Sequence, residues 1–452
     1  MIFTNLSRRN EIGANSYLLE ADGRRIVLDS GMHPKEEGFD ALPDFDLLDE
    51  DSVESIVVTH SHLDHVGTLP VLMREQSGAR AFMTRATAAL ANAMLHNSVN
   101  VMQSKRIELG LTDYPLFDHR ELDFLEARFE TRAYNRPFDL DRAGKVRATF
   151  HDAGHILGSA GVMIEAEGKR LFYTGDVKFD HQSLSKGALF PEEPVDALII
   201  ETTRGEKSSR EGYTRESEEQ KFAEIIARTL LRGGSILIPV FAMGKTQEVL
   251  TMVHHFKQGG LIPEYTPVYI GGLSTKMTVI FDEFASDARR RYPGFRLLKD
   301  MEIQTGNRRN RRPIPNRPGC IYALSSGMMS EKTVSNIFAR DFISKRDNTL
   351  AFVGYADPST PGGKLRVAER GSHVMLDSGQ SPVLFDCDLE ILDFSGHAHR
   401  EDLLNYILKV APPKVFLVHG DAPATAWFAA QLAEKMPNSE VIIPLPGEPY
   451  TI

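Results

Sequence analysis

The sequence predicts a layered α/β protein with a site at the ends of its strands, and three observations predict it. Apolar runs of strand length lead at once into chemically capable residues: 55–59 into His60, 171–174 into Gly175-Asp176, 197–200 into Glu201, and 415–418 into His419. Stretches of helical periodicity lie between these runs. The composition, 42% hydrophobic and 25% charged over 452 residues, is that of an ordinary globular protein with room for two or three domain-sized units.

Composition also sets bounds. The 52 basic and 62 acidic residues leave a net charge of −10, which disfavours a protein that coats nucleic acid non-specifically but permits a local basic groove. Cys320 and Cys387 are too few for a disulfide scaffold and lack a short metal-ligand spacing, so a reducing cytoplasm is expected. Residues 1–9 carry no apolar core of the secretory kind. The longest apolar run, 236–243, contains Pro239 and is too short to span a bilayer, so no membrane partner is expected.

From the amino end, residues 15–20 and 25–29 alternate as two strands of a hairpin around Ala21-Asp22-Gly23. Residues 217–232 read as a helix, with Ser217 and Gln220 at capping-box spacing and Gly233-Gly234 as its stop. A buried-type strand at 235–240 follows, then an amphipathic helix at 247–257 closed by Gly259-Gly260, then strands at 267–270, 320–324 and 350–353. This alternation supports a second α/β domain over 206–393, with no tandem repeat.

The strongest chemical signal is Thr59-His60-Ser61-His62-Leu63-Asp64-His65, in which four potential ligands fall within six residues directly after a strand. Neutral imidazoles and a carboxylate suit zinc. His155, in Asp152-Ala153-Gly154-His155, Asp176 after Tyr173-Thr174-Gly175, and His419 in Val418-His419-Gly420 supply what a second ion needs. The two oxygens of Asp176 can bridge ions at the ~3.5–4 Å of two-metal sites.

Asp29 in Leu28-Asp29-Ser30-Gly31, the 60–65 block, His155, Asp176 and His419 resemble the successive motifs of the metallo-β-lactamase fold. Glu201, the phrase from Gly234 to Glu248, Ser325-Ser326-Gly327-Met328 and Ser395-Gly396-His397-Ala398 resemble its β-CASP branch, nucleic-acid-processing nucleases that include bacterial RNase J and the eukaryotic pre-mRNA 3′-end endonuclease. The resemblance runs through nearly the whole chain. It implies an αββα sandwich in two parts, 1–205 and 394–452, split by an inserted α/β β-CASP domain at 206–393. It further implies two Zn²⁺ per chain, with His60, His62 and His155 on one, Asp64, His65 and His419 on the other, and Asp176 bridging. Asp29 corresponds to an aspartate that orients ligands, and Glu201 with His397 to a carboxylate–imidazole pair acting at the phosphate and the leaving oxygen. The implied activity is hydrolysis of single-stranded RNA by a hydroxide activated between the zinc ions, endo- or 5′-exonucleolytic, giving 5′-phosphate and 3′-hydroxyl ends. His419 favours RNA over DNA, because DNA-directed members of the branch typically lack this ligand. A DNA nuclease, another hydrolase of this fold and a non-catalytic RNA-binding subunit are the alternatives, and a homodimer is implied by analogy.

Some residues depart from the family pattern. His399 follows Ala398, Arg204 stands where an aromatic is usual, and Met329-Ser330-Glu331-Lys332 replaces a glycine-rich turn. Gly244-Lys245-Thr246 resembles the end of a phosphate-binding loop, but the required first glycine is Pro239, so Lys245 is expected to touch RNA phosphate rather than a nucleotide. Ser325, Ser326 and Gly327 are expected to do the same. His254-His255, adjacent on a helix, suits packing better than metal. Residues 281–317 hold ten Lys or Arg and five Asp or Glu, and Arg289-Arg290-Arg291 and Arg308-Arg309-Asn310-Arg311-Arg312 concentrate a charge read either as solvated surface or as a basic wall for nucleic acid.

Overall fold

The computed structural model describes residues 1–306 and 314–452. The chain divides into two compact units: Met1–Asp180, Gly187–Ser209 and His397–Ile452 in one, and His181–Lys186 with Arg210–Gly396 in the other.

The first unit is an αββα sandwich. One seven-stranded sheet holds the hairpin strands Tyr17–Ala21 and Arg24–Leu28, followed in sheet order by Ser55–Val57 and Arg80–Thr84. The other seven-stranded sheet holds Arg147–Asp152, Ala160–Ala166, Lys169–Tyr173, Ala197–Glu201 and Lys414–Val418. The period of two along each strand sorts side chains between faces. Ile26 and Leu28 meet Leu171 and Tyr173 in the core between the sheets. Val27 turns the other way onto Val66, Leu72 and Leu95 of the helices on that side. Phe172 and Leu417 likewise turn outward onto Leu403, Ile407 and Phe428, from the helices Arg400–Val410 and Ala422–Lys435.

The hairpin turn is tighter than the sequence suggests. Ala21 pairs with Arg24, leaving Asp22 and Gly23 as a two-residue loop with φ of 53° and 73°. Two consecutive positive φ values match the right-handed twist of the strands, and Gly23 takes its value without penalty.

The second unit is built on a six-stranded parallel sheet, in which Ile236–Pro239, Val268–Gly271, Ile321–Leu324 and Thr349–Phe352 occupy the middle. Its flanking strands, Ile303–Thr305 and Asp388–Ile391, carry too little apolar pattern to be read from sequence. The first long helix of this unit runs Arg215–Leu231 and starts two residues earlier than expected. Thr214, not Ser217, is its N-cap: Thr214 Oγ1 accepts the Ser217 N–H at 3.0 Å, and Ser217 Oγ accepts the Thr214 N–H at 3.2 Å. Gln220 instead donates to Glu224 at 2.9 Å.

The short segment His181–Lys186 joins the second unit because Glu248 draws it in. The buried Glu248 carboxylate accepts the N–H groups of Ser183, at 2.5 Å, and Leu184, at 3.0 Å, and pairs with Arg215 at 3.3 Å.

Candidate metal centre

Every candidate ligand lies in the first unit, and each follows a strand. Asp29 follows Arg24–Leu28, the 60–65 block follows Ser55–Val57, His155 follows Arg147–Asp152, Asp176 follows Lys169–Tyr173, and His419 follows Lys414–Val418. Both sheets therefore deliver donors to the same end of the sandwich.

Two ligand sets form. In the first, His62 Nδ1 is 3.2 Å from His60 Nε2 and 3.1 Å from His155 Nε2, while Asp176 Oδ2 is 3.4 Å from the former and 3.6 Å from the latter. A tetrahedral ion with bonds of about 2.0–2.1 Å spaces its ligands by roughly 3.3–3.4 Å, so this spacing fits one metal. In the second, Asp64 Oδ2 is 3.4 Å from His419 Nε2 and 3.9 Å from His65 Nε2. Asp176 Oδ1 lies 3.3 Å from His65 Nε2 and 3.3 Å from His419 Nδ1, yet it is buried with no hydrogen-bond partner. A buried carboxylate oxygen without a donor is costly, and a cation shared between the sets would satisfy it. Both sets have the arrangement of groups able to hold a metal ion.

A layer of hydrogen bonds behind the ligands fixes which imidazole nitrogen faces inward. Asp29 Oδ2 is 2.8 Å from His65 Nδ1 and accepts the Tyr173 hydroxyl at 2.7 Å. Thr59 gives its N–H to Asp29 Oδ1 at 2.7 Å and its hydroxyl to Asp29 Oδ2 at 2.8 Å, so Thr59 Oγ1 accepts from His60 Nδ1 at 3.1 Å. In both rings Nδ1 is thus engaged and Nε2 is the nitrogen turned toward the metal positions. Thr203 Oγ1 shares a 2.8 Å hydrogen bond with His419 Nδ1. Asn15 anchors the ligand loop by donating its N–H and its side-chain amide to the Asp64 carbonyl, each at 3.0 Å. These partners, Asn15, Thr59, Tyr173 and Thr203, escaped the sequence reading, although three of them stand inside or beside its motifs.

The backbone is shaped for this crowding. A Cβ on Gly31 would sit 1.8 Å from the Asp64 carbonyl oxygen, so only glycine lets the two loops touch. Asp29 and His419 both adopt left-handed backbone, with φ of 58° and 48°, a strain that clusters at functional sites.

The electrostatics differ between the ligands: burial works against a charge on His65, but Asp176 and Asp29 outweigh it and raise its pKa well above the usual imidazole range, so a metal ion there would displace a proton. Burial lowers the pKa of His60 and His62 and keeps them in the neutral form that binds metal. Burial alone would raise Asp176, but the surrounding imidazoles, led by His419 and His65, hold its carboxyl well below the usual carboxylate range. Asp64 is also held low: burial opposes the charge, and His419 and His65 outweigh it.

Glu201 and His397 meet beside these sets. Glu201, buried at the end of its strand, accepts the Val177 N–H at 2.6 Å, and its Oε2 lies 3.0 Å from His397 Nδ1. His397 Nδ1 is 3.9 Å from Asp176 Oδ2, and its ring stands 4.7 Å from that of His155. Burial works against a charge on His397, but Glu201 and Asp176 overcome it and lift the pKa to about 9. His399 has a different place: it is buried, caps the helix Arg400–Val410 by position, and shares a 2.7 Å hydrogen bond with Ser209.

The other candidates belong to the second unit. Pro239 and Leu324 are partners in adjacent parallel strands, so the segments that follow them, with Lys245 and with Ser325-Ser326-Gly327, lie at the same sheet edge. Gly327 lies against Phe241, Ser325 Oγ donates to Gly271 O at 3.3 Å, and Lys245 Nζ donates to Phe394 O. The basic run is partly a structural device. Arg290 is 3% exposed and donates to the carbonyls of Phe281 and Phe295, because burial of its guanidinium requires acceptors. The second run, Arg308-Arg309-Asn310-Arg311-Arg312, lies outside the described residues. His254 and His255 pack against Phe295 and Tyr292, with ring separations of 4.8 and 4.4 Å.

An αββα sandwich with these donors at its strand ends defines the metallo-β-lactamase fold. Family models match in series: the metallo-beta-lactamase superfamily over residues 9–198, the Beta-Casp domain over 246–365, and the Zn-dependent metallo-hydrolase RNA specificity domain over 385–444. The chain belongs to the β-CASP branch of that superfamily. It is similar to the endoribonuclease YSH1 of Saccharomyces cerevisiae, 27% identical over 93% of this chain and 54% of the relative. It is similar to cleavage and polyadenylation specificity factor 73 of Drosophila melanogaster, 29% identical over 92% and 59%, and to the transcription termination factor FttA of Pyrococcus abyssi, 28% identical over 92% and 66%. The chain spans about half the length of the first of these relatives. A crystal structure of a protein of unknown function from Enterococcus faecalis V583 shares the fold, with a TM-score of 0.60 at 13% identity, over 100% of this chain and 99% of that one.

Proposed function

We propose that the chain is an endoribonuclease that holds two zinc ions and hydrolyses phosphodiester bonds of single-stranded RNA, leaving 5′-phosphate and 3′-hydroxyl ends. The observation that carries this reading is Asp176, with Oδ2 among His60, His62 and His155 and Oδ1, which accepts no hydrogen bond, between His65 and His419. His60, His62 and His155 would hold one ion, Asp64, His65 and His419 the other, and Asp176 both. When bound, the ions supply Lewis-acid activation of water and stabilise charge on the phosphate.

The remaining work falls to the chain. Asp29, Thr59 and Thr203 hold three ligand imidazoles in the required orientation. Glu201 holds His397 by Nδ1, so Nε2 carries the proton that passes to the departing 3′-oxygen. The raised pKa keeps that proton in place near neutral pH. In the second unit, Lys245, Ser325, Ser326 and Gly327 would contact the RNA backbone, since ligands favour the carboxyl ends of parallel strands. The naming of relatives as endoribonucleases, and of the family model at 385–444 for RNA specificity, supports RNA as substrate and internal cleavage. Two free, buried cysteines suit a cytoplasmic location. A homodimer completes the proposal, by analogy with the branch.

The test is to incubate zinc-loaded protein with 5′-labelled and internally labelled single-stranded RNA, paired RNA and single-stranded DNA. Internal RNA fragments bearing 5′-phosphates are expected. Mononucleotides alone would make the enzyme an exonuclease. Equal cleavage of duplex or DNA would overturn the substrate assignment, and no cleavage by fully loaded protein would favour a non-catalytic role.

A further inference from the structure

Two hollows in the first unit share Ser7, Arg9 and Glu11 in their walls. One reaches His419 and Gly420 at the ligand sets. The other is a cavity of about 250 Å³ whose charged lining comprises Arg8, Arg9, Glu11, His33, Glu36 and Asp40. We propose that the loop 7–14 and this cavity form a subsite for one nucleotide of the RNA, with Arg9 on its phosphate and its base in the cavity. This rests on the RNA reading above and adds a contact that the branch motifs do not include.

Arg9 has the right chemistry and freedom. Its side chain is 64% exposed and pairs with Glu36 at 2.9 Å and, more loosely, with Glu11 at 3.6 Å. Exposed pairs of this kind are weak, and a phosphate offers the guanidinium a bidentate partner in their place. The acids Glu11, Glu36 and Asp40 repel phosphate, which confines it to the side shared with His419.

The cavity suits a base. A hollow of ~150 Å³ can admit a benzene ring, so this one has room for a nucleobase. One wall is the His33 ring, held rigidly: Nε2 is 3.1 Å from Glu11 Oε1, and Nδ1 accepts the N–H groups of Lys35 and Glu36, each at 3.2 Å. Gly13 packs directly on that ring, since a Cβ there would come within 2.7 Å of His33 Cδ2. A fixed aromatic face is a stacking platform that tolerates any base, and the carboxylates of Glu11 and Asp40 accept base N–H groups, while Glu36 serves only to hold Arg9 in the free protein.

The experiment measures binding of zinc-loaded protein to a cleavage-resistant single-stranded RNA at several salt concentrations, with an abasic residue stepped through the sequence. Arg9→Ala should weaken binding about tenfold and reduce the salt slope by about 0.7, the share of one phosphate contact. Glu36→Gln releases Arg9 and should bind as well as wild type or better. An abasic residue should cost about tenfold at one position relative to the cleaved bond. If both variants lower the melting temperature alike while affinity and slope stay at wild-type values, the pair is structural and the proposal fails. Equal binding of every abasic RNA also overturns it. Wild-type protein that binds no RNA would instead bring down the functional reading itself.

Discussion

Asp29 Oδ2 and His65 Nδ1 stand 2.8 Å apart, and that contact decides which face of the imidazole reaches the site. The same carboxylate gathers Thr59 and Tyr173, so one buried side chain connects two strands of one sheet with a strand of the other. Asp29→Asn removes the charge and introduces two N–H donors among groups that already donate. Zinc affinity measured by competition with a chelator should fall by ~10–100-fold. Tyr173→Phe, which deletes one donor, should have a smaller effect.

Asp176 belongs to both ligand sets, and its replacement should therefore empty both. Elemental analysis is expected to give two metal ions per wild-type chain and fewer than one for Asp176→Ala. Retention of one full equivalent in the variant would show that the sets are independent.

His397 shares Asp176 as a neighbour with the first ligand set and is held by Glu201, and the role proposed for it is proton transfer rather than metal binding. His397→Ala should lower turnover by ~10²–10⁴-fold with metal content preserved. His399→Ala, which loses the bond to Ser209, should leave turnover within a few-fold of wild type and act on thermal stability instead. A severe His399 variant with a mild His397 variant would reverse the assignment.

The Glu201–His397 pair also fixes a pH dependence. With the imidazolium as the proposed proton donor and its pKa lifted to about 9, activity should hold through neutrality and fall as pH rises through that value. Glu201→Gln removes the leading cause of the elevation, and the alkaline limb of the rate profile should move to lower pH. An alkaline limb unmoved by Glu201→Gln would assign that ionisation elsewhere.

Arg290 and Arg289 are neighbours with unlike roles. Arg290→Ala strands the buried Phe281 carbonyl and the partly buried Phe295 carbonyl, and removal of a buried guanidinium of this kind costs about 1–3 kcal/mol, readable in a thermal melt. Arg289→Ala, whose side chain is only partly buried, should melt close to wild type.

That pair shows where sequence reading stops. A run of three arginines reads as surface charge, and nothing local says that the middle one turns inward to the carbonyls of Phe281 and Phe295. The ligand block at 60–65 was legible because its chemistry is carried by residue type at close spacing, and the strands were legible because their apolar runs end abruptly in such residues. Thr59, Tyr173 and Thr203 were not, since a hydroxyl has no signature until the fold supplies its partner. The membership of His181–Lys186 depends on Glu248, more than sixty residues away in sequence, and the true helix cap, Thr214, was hidden by an equally good candidate three residues on.

In the first unit, Glu201 and Val418 are partners in neighbouring parallel strands, although residues 210–396 lie between them in the chain, and Ile2–Asn5 pairs with Pro449–Thr451. Synthesis runs from the amino end, so His60 to Asp176 emerge from the ribosome long before His397 and His419 exist. During that interval the first ligand set can assemble but the second cannot, and the proposed proton donor, His397, is missing. Pairing over such separations is slow to form. On the proposed function, the nascent chain would therefore be inert toward the RNA that encodes it until nearly all of these residues are made.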